Sequence, residues 1–314
     1  MQFLQLFAFY YILDEMLVLL LAILGLCIGS FLNVCIDRLG NEEERRRWGD
    51  GESERWGGKE EGIGRLGGRS HCDYCHKQLH WNDLIPVVSY ILLGGRCRYC
   101  HKKLSLQYPF IEILTSVSFV LVYLFSPHLL LLSSPPLALP IPPSSPLLLI
   151  SILGIISSSI VIFFSDLKYH IIPDEATVVL ILSSLLFHLS TSQSLDLHLS
   201  TSPLLHILLS SITAAISLSL TLYFIFYVTK GRGMGFGDVK LAVAIGLLLG
   251  LKSGFFALYL AFVAGGVVSL LLILMKRKKL RSKLAFGPFL IFGTLVMFFA
   301  NKPIIAFFDR LFGM

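Results

Sequence analysis

Charge is what this sequence has least of. Lys, Arg, Asp and Glu make up 15% of its 314 residues, 55% are hydrophobic, and the mean hydropathy is +0.76. A soluble domain carries about 25% charged residues, so this composition excludes an ordinary soluble fold. The little charge present is unevenly placed. Thirteen of the 26 Lys and Arg fall between Arg38 and Lys103, whereas 132–166 holds no charge before Asp166. The first 15 residues lack a basic stretch and a small-residue cleavage site and carry Asp14 and Glu15, which argues against a cleavable signal. A net charge of +6 does not by itself indicate nucleic acid, because that inference needs a basic face on a soluble body.

Crossing about 30 Å of hydrocarbon takes roughly 20 apolar residues. Runs at or near that length are 16–36, 113–132, 147–165, 204–229, 253–275 and 284–301. Two more, 176–189 and 241–251, are shorter, and length alone leaves them open between spanning and buried segments. Charge bias decides the count. If both span, one side holds the 38–107 loop, Lys168, Lys230, Arg232 and the basic run 276–283, and the other only Lys252, Lys302 and Arg310. An excess of Lys and Arg marks the cytoplasmic side. The expectation is an all-α polytopic membrane protein of about eight transmembrane helices with both termini outside. Its parts are a first transmembrane helix over 1–36, a cytoplasmic loop over 37–107 and a transmembrane domain over 108–314. The Pro- and Ser-rich stretches 133–146 and 190–203 read as spacers. Residues 41–69, rich in glycine and in charge of both signs, read as a flexible insertion.

Cysteine is rare but concentrated. Cys72 and Cys75 form one Cys-x2-Cys turn, Cys97 and Cys100 a second, with 76–96 between them. Two such turns can complete the tetrahedral S4 shell of a structural zinc ion. Redox pairs or disulfides are the competing reading, and a cytoplasmic loop, where thiols stay reduced, disfavours it. His71, His76, His80 and His101 lie nearby and are open as outer or substitute ligands, although standing next to a Cys is not evidence of ligation. Cys27 and Cys35, on the first apolar helix, read as packing residues.

Acidic residues are scarcest at the membrane, which makes their positions informative. Asp166 ends the apolar run VIFFS, and Asp238 follows Gly231, Gly233, Gly235 and Gly237 at the mouth of another helix. Ionisable groups there are functional candidates by default. Two carboxylates meeting in a partly dry site share one proton, the arrangement by which aspartic proteases activate water and polarise a peptide carbonyl. Glycines before Asp238, having no side chain, let a substrate strand approach closely. Each residue also has a plainer role open to it. Asp166 could be an interfacial carboxylate beside Lys168, and Asp238 a cap for the helix opening at Val239. Asp174, after the Pro173 turn, reads as a helix cap. Glu112 is open between facing substrate and lying in the interface. The glycine series is a weak match to a phosphate loop, since no strand precedes it and no Lys-Ser/Thr follows.

The ordered set GLCIGSFLNVCIDRL, the paired Cys motifs with WNDLIP and GGRCRYC, YPFIE, SDLKYHIIPDEAT, GMGFGDVKL and AFGPFL resembles the prepilin peptidases, or type IV leader peptidases, of the GxGD membrane aspartic proteases. The resemblance runs from about Gly25 to Pro288. It implies that Asp166 and Asp238 are catalytic and that Asp174, Gly235, Gly237 and Glu112 support them. It also implies a substrate: the basic leader of type IV prepilins and pseudopilins, cut at the cytoplasmic face of the inner membrane. The four cysteines imply a second activity, N-methylation of the new terminus with S-adenosylmethionine, for which no glycine-rich cradle is legible. Two departures stand out, the long 41–69 insertion and Asp73 in place of the usual Pro after the first Cys. The alternatives are a zinc-binding scaffold or a cation- or proton-coupled transporter, and a presenilin-like protease without the cysteine loop.

Overall fold

The structure is a computed structural model describing residues 2–48, 69–133 except 73 and 76, 146–192, 203–231, 233–276 and 284–312. Most of each spacer, most of the charged insertion, Asp73, His76 and Arg232 therefore lie outside the described residues. Two compact units result, Met1–Ser126 and Pro127–Met314. Among the described residues no strand forms, and seven helices are long and apolar enough to cross a membrane.

The first unit is built on a helix pair, α1 (Gln2–Trp48) and α3 (Gln107–Ser133), with a short 3-10 turn (Trp81–Leu84) and α2 (Val88–Leu92) between them. Helix α1 runs on through 41–48, the start of the stretch expected to be flexible; Glu and Arg four apart in EEERRR favour helix there. Gly25 and Gly29 let the pair close up. A Cβ on Gly25 would lie 2.5 Å from the Ser116 Cα, and one on Gly29 2.6 Å from the Glu112 Cα. Small residues four apart are the usual means of bringing membrane helices together. Hydrogen bonds complete the seam: Ser116 Oγ donates to the Ala22 carbonyl at 2.8 Å, Asn33 Nδ2 to the Tyr108 carbonyl at 3.0 Å, and Tyr108 Oη to Asp37 Oδ2 at 3.0 Å. Cys35 is buried in this unit, as packing requires, while Cys27 is exposed.

The second unit contains α4 (Pro146–Tyr169), α5 (Asp174–Ser192), α6 (Pro203–Val228), α7 (Phe236–Leu274) and α8 (Gly287–Phe312). Helix α4 is the central strut, with 56% of its apolar window buried against 33% or less in the others. Several of its buried hydroxyls turn back onto their own helix, as in Ser151 to the Leu148 carbonyl and Ser159 to the Ile155 carbonyl, whereas Ser165 Oγ, next to Asp166, is buried with no hydrogen-bond partner among the described residues.

Helix α7 contains the two segments 241–251 and 253–275 that sequence separates. Gly250 divides it, with φ 73° and ψ −175°. Phe226 packs on Phe236 and Ala215 on Gly246, so α6 and the arm 236–249 run antiparallel. A straight helix would carry Gly254 about 12 Å beyond Gly246, towards the start of α6. Instead Gly254 abuts Leu218, on the other side of Ala215. The arm after Gly250 therefore turns back along α6, and eight apolar segments fit into seven helices. Leu247, in the last turn before the break, has its carbonyl capped by His188 Nε2 at 2.7 Å.

Gly250 occupies a backbone region essentially reserved for glycine. Gly250→Ala should destabilise the second unit by about 1–3 kcal/mol. Gly266→Ala, where a Cβ meets nothing within 4 Å, should be neutral or stabilise by up to about 1 kcal/mol. Thermal melting of both variants in detergent checks this; equal melting would mean that α7 does not reverse at Gly250.

Candidate active site and metal centre

Asp166 lies in the last turn of α4 and Asp238 in the first turn of α7, each only 6% exposed. Gly237, next to Asp238, packs on Ile172 just beyond the end of α4, which brings the helix ends carrying Asp166 and Asp238 together in one site. Each is held in the same way. Asp166 Oδ2 accepts a hydrogen bond from the Gly287 N–H at 2.8 Å, and Asp238 Oδ2 one from the Gly235 N–H at 3.1 Å. Gly287 is the first residue of α8 and Gly235 the cap of α7. Helix N-termini carry unsatisfied N–H groups and partial positive charge, and thus suit carboxylates.

Asp238 is accordingly the third residue of its helix, bonded back to the cap, and not the cap itself. Gly287 was not singled out in the sequence beyond its place in AFGPFL. A Cβ there would lie 2.7 Å from Asp166 Oδ2, so the close approach needs glycine. The available signal was a Gly-Pro pair opening an apolar run, a helix start with a free N–H.

The remaining sequence candidates are distributed as follows. Gly237 lets α7 settle on the α4–α5 link, where a Cβ would stand 3.2 Å from the Ile172 Cβ. Gly235 is not sterically forced, since a Cβ would meet Asp238 Oδ2 at an ordinary 3.6 Å. Asp174 opens α5, and its carboxylate pairs with Lys240 of α7 at 2.7 Å, bracing the helix that carries Asp238. Glu112 belongs to the first unit. Its Oε2 accepts the Val87 N–H at 2.7 Å, and its carboxylate also bonds Ser30, which fastens the α2 segment to the helix pair.

The four cysteines come together in the first unit. Their Sγ atoms all lie within 4.8 Å of one another, and Cys72 and Cys100 are 3.9 Å apart. Thiolates at about 2.3 Å around a tetrahedral zinc would be about 3.8 Å apart, so the site fits such an ion. Two matching turns build it. The chain reads Cys-x-Tyr-Cys-His-Lys-x-Leu at both 72–79 and 97–104, an internal repeat that extends well beyond the Cys-x2-Cys spacing. Cys72 N–H bonds the Lys77 carbonyl and Cys97 N–H the Lys102 carbonyl, with Leu79 to Ser70 and Leu104 to Gly95 as outer pairs. The turns clasp each other reciprocally: Lys77 Nζ sits 5.4 Å over the Tyr99 ring and Lys102 Nζ 4.6 Å over the Tyr74 ring. Each such contact is worth about 0.5–1 kcal/mol at an exposed site.

The Cys100 N–H pulls the Cys97 thiol down to about 7, whereas burial pushes the Cys72 thiol up. Asp83 of the WND motif braces the second turn through a 2.7 Å ion pair with Arg98. No histidine joins the cluster among the described residues, and His76 lies outside them. Elemental analysis should find one divalent metal ion per chain, lost in a Cys72→Ser, Cys97→Ser variant; unchanged metal content would mean that other ligands hold it.

Known proteins combine the same two parts. The bacterial peptidase A24 N-terminal domain model matches residues 23–126, ending where the first unit ends, and the type IV leader peptidase family model matches 153–270. The prepilin leader peptidase/N-methyltransferase of Pectobacterium carotovorum subsp. carotovorum is 32% identical over 282 residues, 87% of this chain and 89% of that protein. That of Dickeya chrysanthemi is 32% identical over 281 residues, with 87% and 88% covered. That of Neisseria gonorrhoeae is 29% identical over 310 residues, with 93% and 94% covered. No solved structure matches the chain. Both buried aspartates lie within the stretch that the second model spans, the cysteine turns lie within the first, and relatives are matched along nearly their full length: the chain belongs to the type IV leader peptidase, or prepilin peptidase, family.

Proposed function

We propose that this protein removes the basic leader from type IV prepilins and pseudopilins and then N-methylates the new terminal residue. The observation that carries the peptidase reading is the pair of buried aspartates, carried by helix ends that pack together and each tethered to a glycine N–H at a helix start. In this reading one carboxylate of Asp166 and Asp238 is ionised and takes a proton from water. The other is protonated and donates a hydrogen bond to the scissile carbonyl, stabilising the oxyanion as the water oxygen attacks carbon. The proton then passes to the leaving amine as the peptide bond breaks. The tethers keep both carboxylates from turning away; a displacement of 1 Å at such a site can cost about a hundredfold.

Lys240 and Asp174 hold α7 and α5 together at the mouth of the site, and Gly237 brings α7 onto Ile172. Together they support Asp238 by positioning. Cys72, Cys75, Cys97 and Cys100 hold a structural zinc ion in this account, supported by their common spacing and reach. Methyl transfer is supported by the relatives' name, with S-adenosylmethionine as the methyl donor. The excess of Lys and Arg on one side supports an inner-membrane protein whose aspartates and cysteine turns face the cytoplasm. Neither a zinc scaffold nor a transporter accounts for the match to leader peptidases, and a presenilin-like protease lacks the cysteine unit.

Co-expression with a prepilin tests the proposal. Mass spectrometry should show loss of the leader mass and then gain of one methyl. Leader loss without methyl would leave the peptidase standing and refute the methyltransferase, and an intact leader would refute both.

A further inference from the structure

The segment joining the two cysteine turns has two unlike sides. Its inner side is fastened to the protein: the Val87 N–H bonds Glu112, and Tyr90 Oη donates to the Leu104 carbonyl at 3.3 Å. Its outer side is apolar and, among the described residues, exposed. Val88, Ile91 and Leu92 stand three and four apart on one face of α2, and Leu84 and Ile85 are exposed in the turn that precedes it. Ile91 is 69% exposed and Leu92 80%, and Trp81, just before them, is 75% exposed. Water tolerates such a contiguous patch poorly.

Its depth is set by Glu112. That residue lies five positions into α3, about 7.5 Å from the start of the helix, inside the membrane-length stretch Gln107–Leu124. The Val87 contact therefore fixes α2 beside the opening turns of α3, whose own Phe110 and Ile113 are exposed. The outer face of α2 thus continues the apolar exterior of α3 at the level where the chain leaves the hydrocarbon. Exposed Arg96, Arg98, Lys102 and Lys103 follow directly. Tryptophan at the boundary, an apolar helical face and adjoining cations are the signature of an interfacial segment on an anionic membrane surface.

We propose that 81–92 is a membrane-interface anchor. Trp81, Leu84, Ile85, Val88, Ile91 and Leu92 enter the boundary between headgroups and acyl chains of an anionic phospholipid bilayer, and the cations of the second cysteine turn meet the headgroups. The anchor holds the metal centre at a fixed height above the membrane.

Tryptophan quenching in the full-length chain tests this. Trp48→Phe with Trp56→Phe leaves Trp81 as the single tryptophan, and retained metal content checks that the variant folds. In phosphatidylcholine/phosphatidylglycerol vesicles, lipid carrying a nitroxide near the headgroup should quench Trp81 severalfold more than aqueous iodide. Adding Ile91→Asp and Leu92→Asp should reverse that order. Quenching by iodide as strong as for free tryptophan would overturn the proposal. So would protection from both quenchers, which would place a protein surface on the face. Unchanged lipid quenching in wholly zwitterionic vesicles would overturn the part assigned to the cations.

Discussion

Two carboxylates buried at the ends of membrane helices are costly unless something stabilises them, and here backbone N–H groups at the starts of helices help to do so. Gly287 supplies one to Asp166 and Gly235 one to Asp238. Much of the second unit follows from this requirement. Helix α4 must be buried and continuous to deliver Asp166, α8 must begin against its last turn, and Gly237 must let α7 lie on Ile172. On the proposed function, the aspartates are thereby fixed before substrate arrives, which is the preorganisation that electrostatic catalysis needs.

The first unit solves a different problem with related means. Its membrane part is a pair of helices closed over Gly25 and Gly29, and its cysteine turns are two copies of one sequence clasped through exchanged Lys–Tyr contacts. Glu112 joins the two parts by giving its buried carboxylate to the backbone of the segment between the turns. It was a candidate for the reaction site by sequence, yet its contacts are those of a fastener. A carboxylate near the start of a span can serve either purpose, and only its partner tells which.

Features that act locally were legible in the sequence. Apolar runs of spanning length, cysteines spaced two apart and acids beside glycines each declare their chemistry within a few residues, and the helices, the four-thiol cluster and the aspartate ends follow from them. Features made by distant pairing were not. The Gly287 N–H meets Asp166 across 121 positions, and neither residue's neighbourhood signals the other. The reversal of α7 rests on one backbone angle at Gly250, which leaves the apolar pattern on both sides intact, so the sequence shows two segments but not the turn between them. Helix α1 runs through 41–48 although those residues are too polar to build a core, because Glu and Arg are good helix formers by intrinsic propensity.

The central claim is that Asp166 and Asp238 act as one unit, and kinetics of the single and double variants test it most directly. Residues that act together in one step are strongly non-additive. Asp166→Asn, Asp238→Asn and the double variant, each checked for intact folding and metal content, should lose leader cleavage to the same residual rate. Full cleavage by either single variant, or a double variant whose loss equals the product of two partial losses, would contradict the account.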